Sequence, residues 1–346
     1  MTISVTWDDV LHWRCRQQWL HRPAEAADPV AVVTRLGGVQ AQVASAAEQA
    51  VAARQETPDP GSVGAALAER RLVKTWTVRG TLHLLPPEPA RAQLALLGAA
   101  RTWETGSWQR TFVTAAQMEK VTAAAAEVLD GRELTREELT AAIVEHAGDP
   151  ALGEHLRSGW GTVLKPVAWQ GLLVYGTTGV TFSKPAWDGL PQPAAAARSV
   201  IPAYLGAYGP ASAATFDRWL IRGRSKPAAL RAWFAELLAD GVIAEVDVEG
   251  ERLYARSEDL ETLQTPKPFE GVRLLPAFDQ FVLGPGTADT RIIPPEQRAR
   301  VSRAAGWISP VVVHRGRVAG VWDDDGETLW AKVPAAGIRA ERARRP

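Results

Sequence analysis

Few side chains in this 346-residue chain combine a reactive type with a suggestive spacing, and the first to do so are two glutamines. In Leu36-Gly37-Gly38-Val39-Gln40-Ala41-Gln42-Val43, Gln40 and Gln42 are the first polar side chains after a glycine pair in an otherwise small, apolar stretch. Each carboxamide is both donor and acceptor, so two of them one residue apart are candidates for polar work at a buried or half-buried surface. Glutamine is also a good helix former at ordinary surface positions, and the spacing alone does not separate the two readings.

Other chemistry is sparse. No Walker loop, dinucleotide fingerprint or GxSxG elbow occurs, and Gly284-Pro285-Gly286 reads as a tight turn. Asp279 fits a helix N-cap better than a general base. The six histidines (His12, His21, His83, His146, His155 and His314) form no close ligand pair, and Cys15 is the single cysteine. No metal site, disulfide or cofactor is expected. His83 sits in an alternating segment, where it packs in a strand or, on the exposed side of a wing, faces a ligand. No basic segment leads into an apolar one at the start, and no apolar run approaches the length of a membrane span. The expectation is a cytoplasmic protein with no membrane contact.

Lysine plus arginine balance aspartate plus glutamate at 39 each, which argues against non-specific coating of nucleic acid but leaves room for a local basic face. Arg218, Arg222, Arg224, Lys226 and Arg231 follow one another without an intervening acid. Arg70, Arg71, Lys74 and Arg79 form a second basic cluster, and Arg339, Arg342, Arg344 and Arg345 a third. Fourteen tryptophans suit core anchors.

The elements that must position these groups repeat. Residues 6–20 read as a helix capped by Thr6, and 30–56 as a longer helical region bent at Gly37-Gly38, which puts the glutamines at or near a helix start. There they would not fully share a helical face, and only a backbone irregularity would let both reach one spot. A helix to Arg71 and two strands around Gly80 give the outline of a winged helix-turn-helix. The outline returns over 111–182, with Thr135 capping Glu138. It is sharpest over 202–254, where one helix carries Leu230, Trp233, Phe234, Leu237 and Leu238 and two strands follow around Glu249-Gly250. Such modules bind DNA or serve as scaffolding. From Val272, short strands including Phe281-Val282-Leu283 suggest a small sheet or barrel, and the tail after Gly337 reads as disordered or loosely docked.

Val39-Gln40-Ala41-Gln42, Arg79-Gly80-Thr81-Leu82-His83-Leu84, Leu275-Pro276-Ala277-Phe278-Asp279 and Gly316-Arg317-Val318-Ala319-Gly320-Val321-Trp322 together resemble the bacterial winged-helix DNA glycosylases. That family includes enzymes that unhook interstrand crosslinks and protect producers of DNA-alkylating antibiotics. The likeness runs from Trp7 to about Val333 and lies in the combination of motifs. It implies an α+β fold, mainly α, with three tandem winged helices held in a C shape by a small C-terminal β-barrel. The corresponding divisions are 1–110, 111–195, 196–264 and 265–335, with a flexible tail over 336–346. It also implies catalysis by a glutamine, an apolar residue and a second glutamine (here Gln40, Ala41 and Gln42) on N7-alkylated purines in duplex DNA, extending to bulky adducts or crosslinks.

The chemistry agrees. A purine alkylated at N7 is already a good leaving group, so the enzyme has chiefly to position water and stabilise an oxocarbenium-like sugar. A glutamine carbonyl does both, although glutamine is a poor general base. No lysine neighbours Gln40, so a monofunctional glycosylase is expected over a lyase. Arg218, Arg222, Arg224 and Lys226 are candidate phosphate contacts, with Arg79 and His83 nearer the lesion. Three dissimilar modules in one chain suit a monomer. The competing reading is a non-catalytic winged-helix DNA-binding protein or regulator.

Overall fold

The computed structural model describes residues 3–25 and 28–344, so Arg345 of the third basic cluster lies outside the described residues. Among the described residues, thirteen strands form four small sheets. They are β1 (Ile3–Val5), β2 (Val39–Gln40), β3 (Val73–Trp76), β4 (Leu82–Leu85), β5 (Glu133–Thr135), β6 (Val174–Tyr175), β7 (Thr181–Ser183), β8 (Ile243–Val248), β9 (Glu251–Arg256), β10 (Val272–Leu275), β11 (Val311–His314), β12 (Arg317–Trp322) and β13 (Glu327–Leu329). Three sheets accompany helical groups in the winged-helix manner. The order β2-β4-β3 goes with helices Pro29–Arg35, Ala44–Ala52 and Ser62–Ala68. The order β5-β7-β6 goes with Ala115–Val128, Arg136–Ala147 and Leu164–Trp169. The hairpin β8-β9 goes with Pro193–Tyr208, Ala213–Ile221 and Pro227–Ala239.

Local chemistry sets many of these boundaries. Thr114 with Gln117, and Thr135 with Glu138, close capping boxes, and Gly148 in the left-handed region ends the helix Arg136–Ala147. Helix Pro227–Ala239 buries Trp233, Phe234 and Leu237, while Leu238 turns to solvent. The chain start joins a distant part of the sequence. β1 pairs in parallel with β8, and Arg14 of the first helix donates to Gly209 O and Pro210 O at 3.0 and 3.2 Å.

Four readings of the sequence need correction. The C-terminal strands form no barrel: β10-β11-β12-β13 is an open antiparallel meander whose end strands do not pair with each other. Closure fails because the β10 edge is occupied. Helix Ala335–Ala343 packs along it, and Glu341 there accepts from Leu274 N at 3.3 Å and pairs with Arg273 at 2.8 Å. The same helix replaces the expected flexible tail. The long helical region over 30–56 is two helices separated by β2, because Gly37 and Gly38 both take positive φ and turn the chain into an extended segment. Phe281-Val282-Leu283 is one helical turn, nucleated by Asp279, which caps Phe281 N at 2.8 Å.

Asp279 does more than cap. Arg54 and Asp279 form a two-pronged ion pair at 2.8 and 2.8 Å with both side chains fully buried, tying the end of the first helical group to the C-terminal segment. Removing one member of such a pair strands a charge in a dry interior. Arg54→Met is therefore expected to lower the unfolding free energy by about 3–5 kcal/mol, measured by urea titration. Adding Asp279→Asn, which keeps the cap without the charge, should recover part of that loss.

Candidate active site

The glutamine pair is placed by a turn and a very short strand. Gly37 and Gly38 have φ of +60° and +114°, and a Cβ on Gly38 would lie 3.3 Å from the Leu85 side chain. The carbonyls at this helix end are satisfied from elsewhere: Gln93 donates to Gly37 O at 2.8 Å and the Tyr208 hydroxyl donates to Leu36 O. β2 then pairs antiparallel to β4, with Val39 opposite Leu84 and Gln40 opposite His83, and Ala41 N donates to Leu82 O at 2.8 Å. In extended chain, residues two apart share a face. Gln40 Nε2 accordingly donates to Gln42 Oε1 at 2.8 Å. The short strand and the bend that follows it at Gln42 supply the irregularity that brings the two carboxamides together.

Gln40 is buried and Gln42 is exposed, and both line an open cavity of about 430 Å³. Arg79, Arg218 and Arg222 face the same space with Trp160, and the lining contains no carboxylate and no lysine among the described residues. Arg79 adopts left-handed backbone (φ 58°) and donates to Leu283 O at 3.1 Å. Burial, aided by the neighbouring Arg222, lowers its pKa to about 10, so it stays cationic at neutral pH. Arg218, Arg222, Arg224 and Lys226 are all exposed, and none has an acidic partner within ion-pair distance among the described residues. Other basic residues are neutralised: Arg71 pairs with Asp28 and Glu69, Arg342 with Glu327, and Arg344 with Glu341. The cavity and the loop that follows Arg222 thus hold a group of cations without an acidic partner among the described residues.

Of the residues singled out from sequence, Gln40, Gln42, Arg79, Arg218 and Arg222 converge on the cavity. Arg224 and Lys226 stand outside its lining, in the turn before helix Pro227–Ala239. His83 is only 1% exposed, and burial holds its imidazole neutral with a pKa lowered to about 3. It sits behind Gln40, where it offers neither charge nor surface to a phosphate. Trp160, 71% exposed at the cavity rim, was not apparent from pattern alone. Its setting in Ser158-Gly159-Trp160-Gly161 was the available signal, because an aromatic between glycines has no helix or strand in which to be core. Phe278 also lines the cavity from left-handed backbone (φ 58°) and packs edge-on against Trp307 at 4.9 Å. Among the described residues no cluster of three or more metal-ligating side chains occurs, and no helix is long and apolar enough to cross a membrane.

The sequence profile of the AlkZ-like DNA glycosylases matches residues 33–344. The chain belongs to that family. A relative described as an interstrand DNA cross-link repair glycosylase from Streptomyces sahachiroi is 47% identical over 332 residues, 93% of this chain and 88% of the relative. The solved structure of the Streptomyces sahachiroi DNA glycosylase AlkZ superposes with a TM-score of 0.92 at 43% identity, covering 99% of this chain and 96% of that one. Family membership makes the chain an enzyme, a DNA glycosylase, and sets aside the reading as a non-catalytic regulator.

If the unpaired arginines meet DNA phosphates, each releases about one counterion on binding. Arg218→Gln combined with Arg222→Gln should weaken duplex binding and flatten the plot of log affinity against log salt by about two units of slope. Arg71→Gln, whose cation is already paired, should leave that slope unchanged in the same fluorescence-anisotropy titration.

Proposed function

We propose that this glycosylase hydrolyses the N-glycosidic bond of purines made cationic by N7-alkylation in duplex DNA, acting as a monomer with Gln40 and Gln42 at the reacting centre. One observation supports this reading above the rest: the cavity has two carboxamides and three arginines, but no carboxylate or lysine among its described lining. A neutral base needs a strong proton donor to leave, and nothing in the lining supplies one near neutral pH. A cationic purine needs none. Its C1′–N9 bond breaks with the electron pair going to the purine, which departs neutral, and positive charge passes to the sugar. A carboxamide oxygen faces that charge favourably and orients the water whose oxygen bonds to C1′ as its proton passes to solvent.

The cavity is open at the surface, so it does not require the base to be fully enclosed, and the Streptomyces relative is described as an interstrand DNA cross-link repair glycosylase. Both favour bulky N7 adducts and crosslinks as substrates of this chain. Trp160 at the rim offers an aromatic face on which a base or planar adduct can stack. Lys165 lies near the site, its side chain 3.7 Å from where a Cβ on Gly80 would be, but it is absent from the lining, which favours hydrolysis without a covalent imine.

The purified protein should release 7-methylguanine from methylated duplex DNA and leave uracil in place. Gln40→Ala with Gln42→Ala should abolish release while retaining duplex binding, and borohydride should trap no enzyme–DNA adduct. Absence of release from both methylated and N7-crosslinked duplexes would sink the proposal. Replacing Trp160 by alanine should weaken binding of adduct-bearing duplex by about 1–3 kcal/mol and affect undamaged duplex less, as read by competition binding.

A further inference from the structure

Trp160, the most exposed large apolar side chain among the described residues, stands on a turn that is anchored at both ends. In Ser158-Gly159-Trp160-Gly161, Gly161 N donates to Ser158 O at 3.0 Å, which puts Trp160 at the third position of a tight turn. The same Ser158 carbonyl accepts from Arg136 Nη1 at 3.2 Å. Arg136 begins the helix Arg136–Ala147, and its guanidinium lies over the buried Phe182 ring, 5.1 Å from the centroid. One cation thus ties the turn to the second helical group and its wing.

The far end of the turn is fitted to the first wing. Gly161 takes left-handed backbone (φ +60°), and a Cβ there would lie 2.5 Å from Trp76 Cζ2. Only glycine lets the turn sit so close. Trp76 is itself fixed, because Trp169 Nε1 donates to its carbonyl at 3.0 Å and its ring stacks on Phe182 at 5.9 Å with 19° between the planes. Phe182 therefore serves both anchors. Trp76 lies opposite Leu82 across β3 and β4, and β4 pairs with β2, which carries Gln40. The turn is registered against the sheet that holds the glutamine.

We infer that Arg136 and Gly161 are positioning residues for adduct recognition: they fix the turn 158–161 as a preformed arm whose Trp160 indole stacks on the alkylated purine or its planar adduct at the cavity rim. This rests on the reading of Trp160 as a stacking face. Neither Arg136 nor Gly161 lines the cavity, so both act through Trp160. An indole left in water forgoes burial that a flat partner restores. Because the arm is ordered before DNA arrives, less of the stacking free energy goes into immobilising it and more appears as affinity.

Two measurements test the arm. The first is competition binding to a duplex with one 7-methylguanine on a 2′-fluoroarabinose, whose fluorine opposes charge at C1′ and blocks hydrolysis. Arg136→Met keeps an apolar stem over Phe182 but removes the donor to Ser158 O. It should weaken binding of this duplex by roughly fivefold or more, and should cost nothing further in the Trp160→Ala background. Arg136→Lys retains a donor and should recover most of the affinity. Gly161→Ala, which pushes the turn off Trp76, should reproduce the loss through a different contact. An undiminished affinity in both Arg136→Met and Gly161→Ala, or an Arg136→Met loss as large without Trp160 as with it, overturns the inference. The second needs no DNA. Trypsin cuts after the exposed Arg157, at the entry to the turn. Nicking there, followed by mass spectrometry under conditions where the melting temperature shows each variant folded, should speed up several-fold in Arg136→Met and Gly161→Ala but not in Trp160→Ala. Unchanged nicking in the first two variants overturns the inference while leaving the stacking reading intact. Equal binding of the modified duplex by wild type and Trp160→Ala removes the stacking reading itself, and the inference with it.

Discussion

The buried pair between Arg54 and Asp279 is the contact on which the site depends. The carboxylate caps the turn that begins at Gln280, and the guanidinium closes the helical group that begins after Gln42. Phe278, the residue before Asp279, and the Gly284-Pro285-Gly286 turn after it line the cavity opposite the glutamines. A cavity between sequence-distant walls exists only if something fixes the walls to each other. An ion pair with both members out of water does so rigidly, because separating it would leave two uncompensated charges.

Within that frame the first wing works as a holder for amides. Two positive-φ glycines end a helix abruptly, Gln93 and Tyr208 satisfy the exposed helix carbonyls, and a two-residue strand sets the register against β4. The strand is too short to be stable alone. It persists because its partner residues are core, with Val39, Ala41 and Leu84 all buried. The result is that Gln40 is held on a strand opposite a buried, neutral His83, and Gln42 follows in the bend just beyond it.

Electrostatics divides along the same line. The chain carries no net charge and arginines such as Arg71 and Arg342 are committed to carboxylates, yet those around the cavity have no acidic partner among the described residues. Arg79 and Arg222 press on one another, and burial lowers the Arg79 pKa further. Like charges held together with no counterion are costly in the free protein and are relieved by a polyanion. A charge-balanced protein can therefore still present a locally cationic cleft.

The three winged-helix outlines, the helix caps at Thr6 and Thr135, and the unusual glutamine spacing were all legible in the residues, because each depends on interactions within a few positions of the chain. The family likeness lay in motifs of the same local kind. Three features were not legible. Whether Gln40 belonged to a helix or a strand was decided by pairing with β4, more than forty residues away, and that pairing turned a two-residue spacing from opposed to convergent. Whether the last strands closed was decided by the helix Ala335–Ala343, which covers the β10 edge. Whether a basic residue was available to DNA was decided by its carboxylate partners: Arg71 finds two and Arg222 finds none among the described residues. Sequence by itself determined which groups could do the chemistry. Their convergence, burial and freedom from partners are set by contacts between distant segments, and only the tertiary structure decides those.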